Sequence, residues 1–352
     1  MSGNNPFQSW EWCYHWYAAI ESWSQLQVVH DVDSSGDWLG IAPLVGCTTR
    51  LGANKLYTMG SGSACTDYTR LVTKQGQQLE FTSKVVGWLR GQLESGISEV
   101  VEFDGVELES QQTRNLVSSM RQYGYQTSVV PVESCWKLDL GSSWDTLNQS
   151  FSKKLRRKTK KAVGRLADIS TNVELASKSG FDSIWEKFVV LHQKRRHMLG
   201  QAGCFADPRF EEFLKNASKS LIKRGLCELI LISHQGTPLA ATLLFHDHQN
   251  VFMYQSGFDP EQKTREPGYM LIVASMRWAI DHNFSTFDFL RGDEPYKARW
   301  NTRQVPHVKL RFMSDANWVS RLRGMAWREN LELRKKASWL KTKISLATAC
   351  SF

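Results

Sequence analysis

The sequence lacks the features of several large protein classes. It has no run of about 18 apolar residues, the length that a helix needs to cross a bilayer. Its N-terminus, MSGNNPFQSWEW, has no basic segment followed by an apolar one, so we expect no secretory signal. The patterns GxxxxGK, GxGxxG and GxSxG are also absent, which argues against P-loop, dinucleotide-binding and hydrolase-elbow proteins.

The cysteine pattern gives no sign of disulfide bonds or of zinc ligands. The seven cysteines are odd in number, scattered along the chain and never arranged as CxxC. This pattern is typical of a reducing compartment and argues against a structural zinc site. We therefore predict a cytoplasmic protein without a metal.

Basic residues are concentrated in two segments. Residues 153–165 hold eight Lys or Arg and no acid, and residues 321–343 hold eight basic and two acidic residues. These segments carry net charges of +8 and +6. Because the whole chain carries +9, the other residues together carry about 9 − 14 = −5. Three interpretations of a basic helix at 151–167 stay open: a solvated face, an anchor for phosphate groups of a substrate, or a nucleic-acid contact. We expect no sequence-specific DNA binding.

A chain of 352 residues exceeds the usual size of one hydrophobic core, so we expect two domains. Helix and strand patterns alternate through the first 135 residues, beginning with the tryptophan-rich helix FQSWEWCYHWYAAIES. A second unit starts at the strand WKLDL and continues through one helix, opened by Ser142 or Ser143, into the basic helix. Further helices are predicted near 180–199 and 207–224.

The second unit then changes to strands. CELILIS, PLAATLLFH and NVFMYQSG are joined by short connections and predict an antiparallel meander. A helix opens at Pro267 and Gly268 and stops near Asn283, followed by the strand FSTFDFL. We expect the strand VKLRFM to close this second sheet.

Two stretches in this unit carry a resemblance to a known family. MYQSGFDPEQKTREPGYMLIVASMRWAI contains Y-x-S-G-F-D-P and P-G-x-x-L, and FDFLRGDEPYKARW contains FDFLRG-x-E-x-YK. With the order meander, helix, strand, they resemble the GNAT acetyltransferase domain of the CelD family, which is linked to cellulose and exopolysaccharide biosynthesis and related to the FemAB transferases. The resemblance covers about residues 136–313, and NPFQSWEW and GIAPLV are similar to the companion domain of these proteins.

The resemblance implies a fold and a domain organisation. We expect an α/β (α+β) chain of two GNAT-like domains with mixed central sheets, at residues 1–135 and 136–313, the second of them catalytic. Residues 314–352 are predicted to form a basic amphipathic helix, for which we expect peripheral contact with a membrane.

The donor implied by the resemblance is an acyl-CoA such as acetyl-CoA. Its pyrophosphate would rest on the amides of Gly268 and Tyr269 at a helix start, with Lys263 or Arg265 nearby. The chain lacks the Arg/Gln-x-x-Gly-x-Gly/Ala loop that coenzyme A binders usually carry, so this donor follows from the family alone. A plain helix start is the alternative.

The charges of FDFLRGDEPYKARW are predicted to serve the acceptor. Asp288 or Glu294 is a candidate base for an amine or hydroxyl nucleophile, and Lys297 a candidate to stabilise developing negative charge. In FemAB-type enzymes a lysine after a similar strand lies in the substrate site. The alternative is a structural ion pair between Asp288 and Arg291 that fixes the turn.

Further side chains are candidates for substrate binding. We predict this role for His192, Arg196, Tyr254, Arg291 and Tyr296. A solvated helical histidine is the alternative for the first of them. Four tryptophans are candidates for stacking on sugars or, preferably, for core packing: Trp10, Trp12, Trp16 and Trp23.

The function implied by these features is transfer of an acyl group to an amine or hydroxyl of a cell-surface polysaccharide precursor. The alternatives are aminoacyl transfer from charged tRNA to a peptidoglycan precursor, as in FemAB relatives, and a catalytically silent accessory protein of polysaccharide biosynthesis.

Overall fold

The computed structural model describes residues 5–50 and 52–313, so the helix predicted at 314–352 lies outside the described residues. Fourteen strands are found in these ranges: β1 Gln25–Val32, β2 Trp38–Thr48, β3 Asn54–Thr58, β4 Val72–Thr73, β5 Val100–Glu107, β6 Gln126–Pro131, β7 Cys135–Asp139, β8 Thr171–Leu175, β9 Cys227–His234, β10 Thr237–His246, β11 Asn250–Phe258, β12 Thr286–Arg291, β13 Arg303–Val305 and β14 His307–Met313.

Nine α-helices lie in the same ranges: α1 Trp10–Trp16, α2 Gln78–Glu94, α3 Gln111–Gln122, α4 Trp144–Ser150, α5 Lys153–Leu166, α6 Ala176–Ser179, α7 Phe181–Met198, α8 Pro208–Lys223 and α9 Pro267–Asp281. None of these helices is both long and apolar enough to cross a bilayer.

The strands form two mixed sheets. The first has the order β1-β2-β3-β5-β14-β6, with β4 paired to β2, and the second has the order β13-β7-β12-β11-β10-β9-β8. Each sheet contains one parallel pair, β3 with β5 and β11 with β12, and its other pairs are antiparallel. The two mixed sheets confirm the predicted α/β class.

Local sequence signals explain most of the second unit. The antiparallel meander of β9, β10 and β11 is confirmed, and so is the helix that opens at Pro267. Asn283 follows that helix with φ 61°, the left-handed conformation expected of a residue just past a helix end.

Other sequence predictions were wrong. VKLRFM does not close the second sheet, because β14 pairs with β5 and β6 in the first. The predicted continuous helix is two helices, since Phe151 is extended and Ser152 caps α5 by accepting the amide of Leu155. The edge strands β1 and β8 were not predicted. The domain limits at 135/136 and 313/314 stay predictions.

A shared aromatic core joins the N-terminal segment to the second unit. Trp12 lies 4.8 Å from Phe213 and 5.4 Å from Phe245 between ring centroids, and Phe7 lies 5.4 Å from Phe252. These rings belong to one buried cluster, which α7, α8, β9 and β10 also line. The first residues of the chain therefore pack on the second sheet, although the first sheet follows them in sequence.

The four tryptophans of the N-terminal segment divide into two groups. Trp12 and Trp16 are fully buried, as predicted for core packing. Trp10 and Trp23 are 73% and 65% exposed, so the core prediction was wrong for them.

Trp12→Ala should lower the free energy of unfolding by about 3–5 kcal/mol, because it leaves a large cavity in the shared core. Trp10→Ala, two residues earlier on the same helix, is the matched control and should change it by less than about 0.5 kcal/mol. Chemical denaturation of both variants measures the two values. Equal losses would contradict the shared core.

Candidate active site

The central strands of the second sheet separate. β11 and β12 pair in parallel through three residues each, ending at Phe252 and Asp288. Beyond this point β11 stays paired with β10, and β12 turns away through Leu290, which has φ 57°. Strand backbone groups that face a gap have lost their neighbouring strand and are available to a ligand.

Two adjoining cavities open at this gap. The smaller one measures about 140 Å³ and is lined in part by Cys65 and Asp67, which lie between β3 and β4. The larger one measures about 370 Å³ and lies beside the start of α9. Four residues line both cavities and form the boundary between them: Arg195, Met253, Ser256 and Tyr296.

Arg195 is the cation at this boundary. Its Nη1 donates to Ser256 Oγ at 3.2 Å, and its guanidinium lies 4.8 Å from the centre of the Phe258 ring. Burial lowers the pKa of Arg195. Among the described residues, no carboxylate oxygen lies within 4.0 Å of this guanidinium, and Glu294 acts on it only at longer range. An anionic ligand group would therefore meet a cation that holds no direct ion pair with these residues.

Tyr296 contributes the phenol that both cavities share. Burial raises the pKa of its phenol to about 12, with Glu294 adding to the effect. The phenol therefore stays protonated near neutral pH and is a hydrogen-bond donor at the boundary.

Lys297 and Glu294, the predicted catalytic residues, both line the smaller cavity. The Lys297 Nζ donates to the carbonyls of Leu290 and Arg291 at 3.1 and 2.8 Å and lies 2.9 Å from Glu294 Oε2. Three acceptors saturate an ammonium group, so in this conformation Lys297 holds the end of β12. The Glu294 side chain is 54% exposed, whereas that of Lys297 is 3% exposed. A ligand in the cavity can therefore reach the Glu294 carboxylate more easily than the Lys297 ammonium.

Asp288 is not where a catalytic base is needed, because neither cavity is lined by it. Its fully buried carboxylate accepts the amide of Leu290 at 2.7 Å and the hydroxyl of Tyr68, with Lys137 Nζ 4.0 Å away. Burial raises the pKa of Asp288 to about 6. The carboxylate thus fixes the turn of the strand at Leu290.

Arg291 does not pair with Asp288, so the predicted ion pair was wrong. Its guanidinium binds Asp67, Asp104 at 3.3 Å and the carbonyl of Thr66 at 2.9 Å. Burial works against its charge, but Asp67 outweighs this effect and holds the pKa of Arg291 above its usual range. The side chain touches the smaller cavity, but its donors are committed to the first unit.

Two further predicted residues serve packing. His192 is buried, with Nε2 3.7 Å from Cys204 Sγ, and burial lowers its pKa to about 4. The interpretation of a solvated histidine was therefore wrong, and His192 lines neither cavity. Tyr254 lines the smaller cavity, but its hydroxyl donates to the carbonyl of Ala64 at 2.7 Å.

The phosphate-binding site predicted at the start of α9 is only partly available to a ligand. Gly268, Tyr269 and Lys263 line the larger cavity, but the Tyr269 amide donates to the Glu266 carbonyl at 3.0 Å. Arg265 does not line it, and its carbonyl accepts from Arg165 at 2.7 Å.

Glu266 places a carboxylate at the same helix start. It binds Lys158 and Arg165, the latter at 2.9 Å. Hydrogen bonding to Lys158 holds the pKa of Glu266 below its usual range.

Several polar residues that line the cavities were not predicted as site residues, among them Arg195, Ser256 and Arg299. Arg196, for which substrate binding is predicted, lines the smaller cavity. A signal for Ser256 existed, since it lies within the quoted Y-x-S-G-F-D-P pattern, and Arg195 directly precedes the predicted Arg196. Arg299 carried no separate signal.

Comparison with known proteins agrees with this geometry. Residues 149–298 match the family described as acetyltransferase (GNAT) domain. This match supports an acyltransferase, and the sequence matches no curated protein significantly.

Solved structures with the same fold span most of the chain. FemX superposes with a TM-score of 0.66 at 13% identity, over 89% of this chain and 93% of that one. L-PGS from Bacillus licheniformis gives 0.53 at 10%, over 89% and 92%. The C-terminal domain of a putative lysylphosphatidylglycerol synthetase from Agrobacterium fabrum gives 0.52 at 12%, over 87% and 89%. At these identities the likeness concerns the fold.

The buried Asp288 generates a pH-dependent stability. Its folded pKa of about 6 lies above the ordinary 3.8, so the folded state binds the proton more tightly and the free energy of unfolding falls as pH rises from about 4 to 6. Asp288→Asn removes this component. The stability of the variant relative to wild type should therefore rise across this window, by up to about 3 kcal/mol.

Urea denaturation of both proteins at pH 4, 5, 6 and 7 measures the difference. Asp37→Asn, at an aspartate whose side chain is 73% exposed, is the control for a solvated carboxylate. A stability difference between Asp288→Asn and wild type that stays constant over the whole range would contradict the assignment.

Proposed function

We propose that the protein transfers an acyl group from an acyl-CoA thioester to an amine or hydroxyl of a cell-surface polysaccharide precursor. The pair of adjoining cavities at the gap between β11 and β12 carries this proposal. A two-substrate transfer needs a point where the donor carbonyl and the acceptor nucleophile meet. The boundary at Arg195, Ser256 and Tyr296 supplies such a point.

The larger cavity suits the donor. Its volume of about 370 Å³ is lined by apolar side chains that include Phe258, Leu271 and Trp300, and such walls accept an acyl chain and its linker. Lys263 and Arg299 add positive charge at the same cavity, where phosphate groups would be bound.

The smaller cavity suits a polar acceptor. Arg195 and Arg196 line it beside the exposed carboxylate of Glu294. An acceptor with a phosphate or carboxylate would bind the arginines, and Glu294 would remove the proton from its amine or hydroxyl. Resemblance to the CelD family supports a polysaccharide precursor as this acceptor.

The proposed reaction uses both cavities. The acceptor nucleophile attacks the thioester carbonyl, and Glu294 takes its proton. Backbone N–H groups along the separated part of β11 stabilise the oxyanion, since the amides of Leu290 and Arg291 in β12 already donate to Asp288 and Asp67. The carbon–sulfur bond then breaks, and Tyr296, which lines both cavities, donates its proton to the leaving thiolate.

Aminoacyl transfer from a charged tRNA is the second candidate. It is favoured by the start of α9, where the Tyr269 amide is already bonded and Glu266 places a carboxylate beside the expected phosphate position. Two of the similar structures also carry lysylphosphatidylglycerol synthetase or L-PGS in their names.

A donor screen tests the two candidates. Melting temperature is measured with acetyl-CoA, longer acyl-CoAs and charged tRNA, because a ligand of the native state raises it. Release of free thiol with aminosugars and sugar phosphates as acceptors reports the transfer. Stabilisation and turnover with charged tRNA alone would replace the first candidate with the second, and no response to any donor would favour a silent protein.

Tyr296→Phe should lower kcat about 10²–10⁴-fold while leaving the melting temperature nearly unchanged, because the phenol acts on a charge that develops only during the reaction. Tyr123→Phe, at an exposed tyrosine after α3, is the control and should turn over like wild type. Steady-state kinetics with the donor found above measures both. A wild-type kcat in Tyr296→Phe would remove the phenol from the mechanism.

Arg195→Gln should raise the KM for an anionic acceptor about 10–100-fold, because a charge-assisted hydrogen bond is lost. The KM for the donor should change much less. Arg277→Gln, at an exposed arginine of α9, serves as the control. An effect confined to the donor KM would place Arg195 on the donor instead.

A further inference from the structure

Helix α5 carries a continuous face of unpaired cations. Eight of its 14 residues are Lys or Arg, and none is acidic. Two of the eight, Lys158 and Arg165, bind Glu266 at the start of α9. The other six are exposed, and no ion pair within residues 5–50 and 52–313 involves them: Lys153, Lys154, Arg156, Arg157, Lys160 and Lys161.

Helix geometry places these six cations together. At 3.6 residues per turn they fall within an arc of about 160°, along a helix about 21 Å long. Gly164 lies near the middle of this arc, with open space around it. The opposite side of the helix holds the buried Leu155, Thr159 and Ala162.

The repulsion between these cations destabilises α5. Lys153 and Arg157, Arg156 and Lys160, and Arg157 and Lys161 are like-charged pairs four residues apart, and such pairs destabilise a helix. Lysines in the first turn also oppose the helix dipole, and no acidic residue occupies that turn. A polyanionic surface would remove this repulsion.

The helix is held firmly enough to present the cations as one surface. Lys158 and Arg165 fix it to Glu266, and Thr159 donates to Asn148 of α4 at 2.7 Å. The cation face therefore lies next to the start of α9, where the larger cavity opens.

An exposed apolar residue accompanies the cations. Ile169 follows α5 by three residues, and its side chain is fully exposed. Positive charge beside an exposed aliphatic residue is typical of segments that lie on anionic bilayers. Single-strand nucleic-acid sites instead combine charge with aromatic stacking platforms, and the helix sequence KKLRRKTKKAVGRL contains no aromatic residue.

We propose that the exposed face of α5, with Ile169, docks the protein on an anionic lipid bilayer. This contact is independent of the donor and acceptor proposed above. It would place the larger cavity near the membrane surface.

Vesicle cosedimentation with the full chain tests the proposal. The probes are vesicles of phosphatidylglycerol with phosphatidylcholine and vesicles of phosphatidylcholine alone. Wild type should bind only the anionic vesicles, and increasing salt should release it. The triple variant Arg157→Glu, Lys160→Glu, Lys161→Glu should bind at least about 100-fold more weakly, since each cation near the surface contributes to the attraction.

A second triple variant controls for net charge. Arg121→Glu, Lys178→Glu and Lys223→Glu change three exposed cations on α3, α6 and α8. Either triple variant lowers the net charge by six, from +9 to +3. The control should stay within about threefold of wild type, because its three cations lie on other helices than the proposed docking face. Ile169→Ser should weaken binding several-fold without changing its salt dependence.

Circular dichroism and the melting temperature show whether the variants keep the wild-type helix content and stability, and glutamines at the same three positions replace the glutamates if they do not. The proposal is overturned by absence of vesicle binding in wild type, by equal losses in the two triple variants, or by unchanged binding in the α5 variant. Binding of wild type to a tRNA or RNA duplex but not to vesicles would also overturn it.

Discussion

The guanidinium of Arg291 joins the end of β12 to the first unit. It is 8% exposed and binds Asp67, which is 2% exposed, together with Asp104. Removing one member of such a buried pair leaves an uncompensated charge, at a cost of about 3–5 kcal/mol. The carbonyl of Thr66 completes the contact. A Cβ at Gly105 would lie 2.1 Å from the Thr66 carbonyl oxygen, and Gly105 has φ 66°. Both facts explain why a glycine stands at this position.

The other contacts of β12 fix its conformation around this anchor. Leu290 takes a left-handed backbone conformation with φ 57°, which costs a non-glycine residue roughly 1–2 kcal/mol. Asp288 accepts its amide, and Lys297 donates to its carbonyl. Tyr68, from the same loop as Asp67, donates to Asp288. The charges crowded after the strand therefore hold the turn that separates β12 from β11, and the gap is a consequence of that turn.

This arrangement assigns a role to the N-terminal unit. Its loop at 66–68 supports the strand that forms one wall of the site, and its first helix packs in the core beneath the second sheet. On the other side of the gap, β11 packs tightly on α7, since a Cβ at Gly257 would lie 2.2 Å from the backbone nitrogen of His192. That close approach brings Arg195, one helical turn later, to the boundary between the two cavities.

Periodicity and turn signals in the sequence determined the meander, the helix at Pro267 and the α/β class, because these patterns depend on neighbours within a few residues. The quoted motifs located the gap, and Glu294, Tyr296 and Lys297 do line it. The partners of these residues were decided by tertiary structure. Arg291 and Asp67 are 224 residues apart, and nothing local favours that pair over Asp288. The position of β14 in the first sheet likewise depends on an unpaired edge between β5 and β6, which only the folded chain presents.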